Sequence, residues 1–387
     1  MNVGTTGALP EFVSREDSSY FSFLAELRAF TVGPVVGVMR TRGRAVANDL
    51  AGRAVSDATE VKARLWQLPV LASYYRLWRS TQESLWERVV AMVYAHEKEL
   101  LAELDAADCS GPGSVEWDPD FVYPQYIKDH EIHIQPGSYH GDPLAGYIYQ
   151  YGTNVFFGGD NDDSAIQTMA VAATPVPADG SVQRILDLGC SIGQSTTAWK
   201  LRFPRAEVWG IDAGAPMVRY AHKRALDIGS EVHFRQALAE ATGFPAGTFD
   251  MVYALWLCHE LPVSAIEKVL VEAHRLLRPG GLLAIADIPS RSMLDYQGAG
   301  RLLTDLNNEF HGTDYGEPYY TGFYTCDLPD LLQRAGFRNV RDDYAPDRWI
   351  PIRVADRRVP RSCRSSMIRR NSGGCSALAR RRRLERR

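Results

Sequence analysis

Short apolar runs alternate with amphipathic stretches from residue 182 onward, and this rhythm dominates the second half of the chain. The short runs predict strands, which lie at 183–188, 207–211, 232–236, 249–255 and 282–288. The stretches between them have helical spacing, at 194–202, 215–227 and 263–277. Because parallel neighbours in a sheet need a crossover helix, the alternation predicts a mostly parallel sheet.

The last elements of this pattern predict the edge of the sheet. A helix at 327–335 precedes two strand patterns, at 337–344 and 349–355, and no helical spacing separates them. Two strands without a crossover helix pair as an antiparallel edge. We therefore expect an α/β fold with a mostly parallel seven-stranded sheet and an antiparallel edge.

The first half of the chain is mainly helical in its spacing. Residues 1–17 are predicted to be disordered, 18–30 to form a short amphipathic helix, and 44–105 to be mostly helical. The chain then divides into four parts, at 1–17, 18–170, 171–355 and 356–387. Aromatic residues of the helical part predict core packing or a homodimer face, or instead one wall of a substrate pocket. They are Trp66, Tyr74, Tyr75, Trp78 and Trp86.

Positive charge is concentrated at the carboxyl end. The chain has a net charge of −4, yet residues 353–387 hold 13 Arg, two acids and no Lys, a net of +11. Such a segment cannot build a core, and residues 356–387 are predicted to form a disordered tail. The absence of Lys favours an appendage over a nucleic-acid arm. The charge of −15 left on the remainder also argues against a nucleic-acid partner.

Three further features bear on the compartment. The six cysteines lie far apart without a C-x-x-C pair, which favours a reduced cytoplasmic protein. The amino terminus lacks the basic and apolar regions of a signal peptide. The longest apolar run, 29–39, contains two Gly and one Pro and is too short and broken to cross a bilayer. We expect a soluble protein with no membrane partner.

The turn after residue 188 carries the strongest chemical signal. Residues 185–194 read ILDLGCSIGQ, which is a strand, a glycine turn and a helix start. Gly189 and Gly193 bracket the turn, so backbone can approach a ligand closely there. The helix start suits a carboxylate or phosphate. Nineteen residues past Gly193 the next strand ends at Asp212, and an acid at that tip suits two ribose hydroxyls.

The spacing excludes two common nucleotide sites. A dinucleotide turn needs G-x-G-x-x-G, and a P-loop needs Gly-Lys-Ser/Thr where this chain has Gln194 and Ser195. With LLRPGGLL at 276–283 and LLQRAGF at 331–337, the segment 182–355 resembles the class I S-adenosylmethionine-dependent methyltransferases, in their small-molecule and quinone-type branch. The resemblance implies a Rossmann-like sheet and S-adenosylmethionine as cofactor. The structural alternative is a tight turn in some other α/β protein.

The resemblance also implies a set of cofactor-binding residues. They are Asp187, Gly189, Cys190, Gly193, Asp212, Met217, Gln236 and Leu238. Asp187 would lie near the cofactor's amino group, Asp212 would hold the ribose, and Met217 would pack against adenine. Asp187 could instead cap the turn, and Met217 could be helix core. The family often has an acid at the position of Leu238, so backbone groups, Gln236 or Glu240 would have to bind the adenine amino group.

Methyl transfer from a sulfonium is a direct displacement, so the enzyme mainly aligns the reactants. A base is needed only if the nucleophile must lose a proton. His259, just past the fourth strand, is the candidate base; alternatively its imidazole only binds a backbone group. Aromatic side chains suit a sulfonium or an apolar acceptor, although they could equally form a packed lid. The candidate acceptor pocket is Tyr151, Tyr296, Asn307, His311 and Tyr319.

Residues 129–142 invite a metal interpretation, because they hold three histidines among acids. Apolar alternation predicts a strand with Glu131 and His133 on one face. The histidine spacing is looser than zinc sites favour, so no metal is expected. The tyrosines that follow alternate with other residues and predict a lid or an aromatic strand face. They are Tyr147, Tyr149 and Tyr151.

These observations predict an S-adenosylmethionine-dependent methyltransferase that acts on a small-molecule acceptor. The alternative is a nucleoside-binding or scaffold protein with the same fold and no turnover, which Leu238 in place of an acid favours.

Overall fold

The computed structural model describes residues 14–52, 58–157, 161, 164–293, 299–344 and 350–357. The predicted disorder at 1–13, the tail from 358 onward and the pocket candidate Tyr296 lie outside the described residues.

A single mixed sheet organises the second half of the chain. Its strands are β1 (Ser114–Glu116), β2 (Arg184–Leu188), β3 (Glu207–Asp212), β4 (His233–Gln236), β5 (Phe249–Leu255), β6 (Leu277–Ala286), β7 (Phe337–Tyr344) and β8 (Pro351–Arg357). Their order across the sheet is β1-β4-β3-β2-β5-β6-β8-β7. β1 to β6 run parallel, and β8 is antiparallel to β6 and β7. The predicted α/β fold with an antiparallel edge is confirmed.

The sheet has eight strands, so the predicted number of seven is wrong by one. The additional strand is β1, in a segment that the sequence indicates as a loop. Val115 of β1 pairs in parallel register with Phe234 of β4. Three residues are too few to show a readable alternation, so only their pairing with the edge of the sheet reveals the strand.

Helices cover both faces of the sheet and build the amino-terminal region. They are α1 (Arg15–Phe30), α2 (Val36–Gly52), α3 (Ala58–Trp66), α4 (Pro69–Tyr94), α5 (Glu97–Asp108), α6 (Gln125–Lys128), α7 (Ala145–Phe156), α8 (Ala165–Ala173), α9 (Gln194–Arg202), α10 (Ala215–Asp227), α11 (Val263–Leu276), α12 (Ala299–Asp314), α13 (Tyr320–Thr325) and α14 (Leu328–Arg334). α9, α10, α11 and α14 match the helices predicted around the strands.

The first helical run is longer than predicted, and residues 15–17, which were predicted to be disordered, belong to it. α1 begins at Arg15 because the Ser14 hydroxyl accepts a hydrogen bond from the Asp17 backbone N–H at 3.0 Å. A π-helical segment, Thr31–Val35, carries the run through Pro34 into α2. The run Arg15–Asp49 is long and apolar enough to cross a bilayer by length and composition alone, a criterion that core helices of soluble proteins also meet. The absence of a membrane partner therefore stays a prediction.

Two strand predictions for residues 129–151 are wrong, whereas the lid that the tyrosines also predicted stays a prediction. The segment Ile132–Ile134 is a 3-10 turn, with His133 at φ 53°, and not a strand. The alternating tyrosines lie on α7, where only every third or fourth residue shares a face. Both segments pack against helices rather than against the sheet, so alternation over a few residues misled the prediction.

Four apolar clusters of described residues hold the helices and the sheet together, one of them joining α2, α3 and α4 to α12. One face of the sheet packs on α11 and α14, and the other packs on α8, α9 and α10. A third core joins α1, α4, α5 and α7 to α10 through buried residues such as Trp86, Ile148 and Tyr220. The helical region thus lies directly against the α/β part, beside the carboxyl ends of the parallel strands.

Candidate active site

The loop between β2 and α9 is a tight turn that requires glycine. Gly189 and Gly193 have φ values of 65° and 75°, in the left-handed region. A Cβ on Gly193 would lie 2.7 Å from Phe234 Cζ, and one on Gly189 would lie 2.7 Å from Leu257 Cδ1. Backbone conformation and close packing therefore both exclude a side chain at these positions.

Asp187 connects this loop to α9 through side-chain hydrogen bonds. Its Oδ2 accepts hydrogen bonds from the hydroxyls of Ser195 at 2.6 Å and Thr196 at 2.7 Å, in the first turn of α9. Burial raises the pKa of Asp187 to about 7, and the two hydroxyl hydrogen bonds offset part of that rise. Asp187 thus binds hydroxyls of α9, whereas the alternative predicted from the sequence was a cap on backbone N–H groups of the turn.

Asp212, at the end of β3, holds two loops through its carboxylate. Oδ2 accepts a hydrogen bond from the Ser191 backbone N–H at 3.0 Å, and Oδ1 accepts one from the Gly214 N–H at 2.9 Å. Burial raises the pKa of Asp212, and these backbone hydrogen bonds oppose the rise. A carboxylate has about four lone-pair sites, so Asp212 can accept further hydrogen bonds from a ligand.

The carboxyl ends of the parallel strands open into a cavity of about 410 Å³. Residues of the strand-end loops line one part of it, namely Gly189, Cys190, Ser191, Asp212, Leu238 and Trp256. Aromatic residues of the helical region line another part, namely Trp78, Trp86, Tyr139, Tyr149 and Phe156. This volume lies within the usual range of small-molecule sites, roughly 300–1,000 Å³.

His259 projects into this cavity from the 3-10 turn Cys258–Glu260 that follows β5. Its Nδ1 lies 2.5 Å from Asp287 Oδ1, and because a carboxylate only accepts, Nδ1 donates and Nε2 is left toward the cavity. Burial alone would lower the pKa of His259, but the charges and hydrogen bonds of Asp287 and Glu260 outweigh it and raise the pKa well above its ordinary value. His259 is thus oriented by a carboxylate and not only by a backbone group.

The Nε2 side of His259 faces a cluster of charged groups. Nε2 lies 3.3 Å from Glu260 Oε1 and 3.6 Å from Glu317 Oε1. His133 Nε2 lies 3.5 Å from Glu260 Oε1, and His311 Nδ1 hydrogen-bonds Glu317 Oε2. Burial would raise the pKa of Glu317, but the three neighbouring imidazoles lower it below its ordinary value. All five side chains line the cavity.

Comparison with known proteins places this geometry in a family. A model of the methyltransferase domain matches residues 185–281. The demethylmenaquinone methyltransferase of Thermus thermophilus is 39% identical over 107 residues, which are 28% of this chain and 48% of that protein. An uncharacterised methyltransferase of Synechocystis is 31% identical over 159 residues, which are 41% of this chain and 68% of that protein. The chain belongs to the class I S-adenosylmethionine-dependent methyltransferases.

The methyltransferase match covers only part of each protein. The chain spans about half the length of the Thermus relative and about two thirds of the Synechocystis relative. An O-methyltransferase family protein of Burkholderia thailandensis, among solved structures, is 18% identical with a TM-score of 0.41, over 55% of this chain and 60% of that one. The cofactor of the family is S-adenosylmethionine.

The structure separates the predicted cofactor residues of this methyltransferase into two groups. Four of them line the cavity: Gly189, Cys190, Asp212 and Leu238. Four others are absent from the described lining: Asp187, Gly193, Met217 and Gln236. Met217 is fully buried in the helical core, and the Gln236 amide donates to Tyr123 Oη and the Ala213 carbonyl, each at 3.0 Å. These four residues lie outside the described lining of the cavity.

Only some of the candidate acceptor-pocket residues lie at the cavity. His311 lines it, whereas Tyr151 packs against Phe21 in the helical core, with ring centroids 6.3 Å apart. Tyr319 directs its hydroxyl to His130 Nε2 at 3.3 Å, and Asn307 lies on α12; neither is among the described lining residues. These residues were predicted from their aromatic or amide side chains, and residue type alone does not show where a side chain points.

Several residues that line the cavity were not among the predicted site residues. On α7, Tyr149, Gly152 and Phe156 share one face at helical spacing, a signal that a helical interpretation of 145–156 would have used. Glu260 is adjacent to the predicted base His259. Glu317, by contrast, lies in a loop with no local pattern, and only the folded chain brings it to the cavity.

Proposed function

We propose that this methyltransferase moves the methyl group of S-adenosylmethionine to a small-molecule acceptor bound beside His259. The observation that carries the proposal is that one cavity contains both the strand-tip carboxylate of Asp212 and the oriented imidazole of His259. The Thermus relative is named a demethylmenaquinone methyltransferase, which supports an acceptor that is not a macromolecule. The enclosed aromatic lining supports an apolar or planar one.

The residues present fit the cofactor. Asp212 would accept hydrogen bonds from the ribose hydroxyls, and the glycine turn would place backbone beside the methionine part. Leu238 offers no carboxylate to the adenine amino group, and Glu240, which lines the cavity, is hydrogen-bonded to the Tyr126 hydroxyl at 2.5 Å. Backbone groups near Leu238 are then the acceptors for that amino group.

The cofactor supplies an activated methyl group, so the protein's own part is alignment and proton handling. Asp287 fixes the ring of His259 and leaves Nε2 to take a proton from the acceptor as it is methylated. The aromatic side chains of α4 and α7 keep water away from the reacting atoms. Because the pKa of His259 is raised, Nε2 accepts this proton only in molecules whose imidazole is neutral.

Calorimetric titration with S-adenosylmethionine and its demethylated product tests the cofactor site. Asp212→Ala should weaken binding about 10- to 100-fold, because hydrogen bonds to a charged group contribute about 1.5–3 kcal/mol each. Asp227→Ala, on the exposed end of α10, is the matched control and should bind as the natural chain does. Equal affinity of the Asp212 variant and its control would contradict the assignment.

Methyl transfer itself is tested with labelled cofactor and a small-molecule extract, by identifying compounds that gain the mass of one CH₂. His259→Ala should lower transfer about 10²- to 10⁴-fold without changing cofactor affinity. His96→Ala, which alters a surface histidine of the helical region, should leave transfer unchanged. Cofactor binding without any transfer would favour the scaffold function instead.

A further inference from the structure

Three side chains from distant parts of the chain bring metal-ligating atoms together at the cavity. His133 comes from the 3-10 turn before α7, Glu260 from the turn after β5, and Glu317 from the loop after α12. One nitrogen of His133 and one oxygen of each glutamate lie within 4.8 Å of one another. Glu317 is only 3% exposed. The chain therefore holds one buried and one partly buried carboxylate within 4.8 Å of each other, which a cation would stabilise.

The distances within the cluster differ from those of hydrogen bonds. His133 Nε2 lies 3.5 Å from Glu260 Oε1, and His133 Nδ1 lies 3.7 Å from Glu317 Oε1. N–H···O hydrogen bonds are about 2.7–3.2 Å long. For an ion with bonds of about 2.0–2.2 Å, two ligand atoms are separated by roughly 2.8–3.1 Å in octahedral and roughly 3.3–3.6 Å in tetrahedral geometry. The 3.5 Å between His133 Nε2 and Glu260 Oε1 lies in the tetrahedral range, whereas the 3.7 Å to Glu317 Oε1 is measured from the other ring nitrogen, which cannot bind the same ion.

Two atoms of the cluster lack a hydrogen-bond partner among the described residues. They are His133 Nδ1 and Glu260 Oε2, and both are buried from solvent. Buried polar side-chain atoms are almost always paired, so these two need a partner such as a water molecule or an ion. His133 also has a left-handed backbone conformation, with φ 53° and ψ 27°, which is unusual for a residue other than glycine.

Neighbouring groups hold the three side chains in place. The Trp86 indole N–H donates to the His133 carbonyl at 2.9 Å and fixes that turn. Glu317 Oε2 accepts from His311 Nδ1, which leaves Oε1 for another partner. Such second contacts orient the ligands in metal sites.

We propose that His133, Glu260 and Glu317 bind one divalent transition-metal ion, with coordination positions left open toward the cavity. One imidazole and two carboxylates suit zinc, manganese or iron, and three protein ligands with an open position are typical of catalytic rather than structural sites. His259 Nε2 lies 3.3 Å and 3.6 Å from the same two carboxylate oxygens, so a group bound to the ion would lie beside the candidate base. If the proposed methyl transfer holds, the ion would bind the acceptor through an oxygen such as a hydroxyl or carboxylate.

The experiment is a titration of the chelator-treated full chain with Zn²⁺ and, separately, Mn²⁺, followed by calorimetry and elemental analysis. The expected result is one equivalent of tightly bound metal per chain. Glu260→Gln and His133→Gln should each weaken binding at least about 10- to 100-fold. Glu267→Gln, which alters a surface ion pair with Arg334, is the matched control and should bind as the natural chain does.

The outcomes separate this proposal from the proposed function. Unchanged metal affinity in the Glu260 and His133 variants, or no bound equivalent, would overturn the metal site. If S-adenosylmethionine still binds the chelator-treated protein in that case, the proposed methyltransferase function stands without the metal site. If metal binding depends on these ligands but titration with S-adenosylmethionine gives no heat, the metal site is supported and the methyltransferase function is contradicted. Because Glu317→Gln could unfold the chain, the test uses the two less buried ligands and checks each variant by circular dichroism.

Discussion

Two aspartates at adjacent strand ends show how burial assigns different roles to one residue type. Asp212 lines the cavity and is available to a ligand, whereas Asp187 is enclosed by Ser195 and Thr196. The Oδ1 atom of Asp187 has no hydrogen-bond partner among the described residues. An enclosed carboxylate with one free oxygen is costly to ionise, which explains the pKa of about 7 for Asp187.

This pKa predicts a pH dependence of stability. Asp187 has an ordinary pKa of 3.8, so in the folded state it keeps its proton over a range in which the unfolded chain has lost it. Its contribution to stability is fully present below about pH 4 and is lost as the pH rises through about 7, at a cost of up to about 4 kcal/mol. Asp187→Asn cannot ionise, so its free energy of unfolding should fall less between pH 4 and pH 8.

Urea unfolding of the cofactor-free chain across this pH range measures the effect. The quantity compared is the free energy of unfolding of Asp187→Asn minus that of the natural chain, which should rise with pH. A difference that is flat with pH would show that the Asp187 carboxyl ionises freely in the folded state.

At the scale of elements, the contact between α7 and α4 depends on a single glycine. A Cβ on Gly152 would lie 2.1 Å from Trp86 Cη2, so the indole packs directly on the backbone of α7. Trp86 in turn holds the turn of His133 through its indole N–H. The packing of these two helices thus positions one wall of the cavity.

Gly152→Ala should destabilise the protein because Trp86 has to move. Overpacking of this kind costs about 1–3 kcal/mol, which exceeds the gain of about 1 kcal/mol from helix propensity. Gly37→Ala is the matched control, because Gly37 lies on α2 with no atom within 4 Å of its added Cβ. That variant should be stabilised by about 0.5–1 kcal/mol. Denaturant unfolding measures both, and the same sign of change in both variants would refute the packing argument.

Whole elements were easier to predict than the site they build. The strands β2, β3 and β5 are short, mostly apolar runs, and β2 is followed by Gly189 while β3 ends at Asp212, so their pattern is local and readable. Asp212 could be predicted for the same reason, since its role depends on the end of one strand. His133, Glu260 and Glu317 meet only through the folded chain, and no periodicity in the sequence indicates that contact.

At the scale of the whole molecule, the helical region and the α/β part share a core. Met217 and Tyr220 of α10 lie in one apolar cluster with Leu85 and Val89 of α4. Arg219, also on α10, forms ion pairs with Asp105 at 2.6 Å and with Asp108 at 2.8 Å. The predicted boundary near residue 170 therefore divides the chain in sequence but not in packing. We expect the two parts to unfold together.

Met217→Ala tests this coupling, because the side chain is fully buried between the two parts. Removing it should cost about 2–5 kcal/mol, through lost burial and the cavity left behind. If the parts form one cooperative unit, far-ultraviolet circular dichroism and tryptophan fluorescence should report the same midpoint, and the substitution should lower both by the same amount. Val271→Ala on α11 is the control, because that side chain is 58% exposed and its loss should change the free energy of unfolding by less than about 0.5 kcal/mol. Two separate transitions, only one of them shifted by Met217→Ala, would mean that the helical region and the sheet are independent units that merely touch.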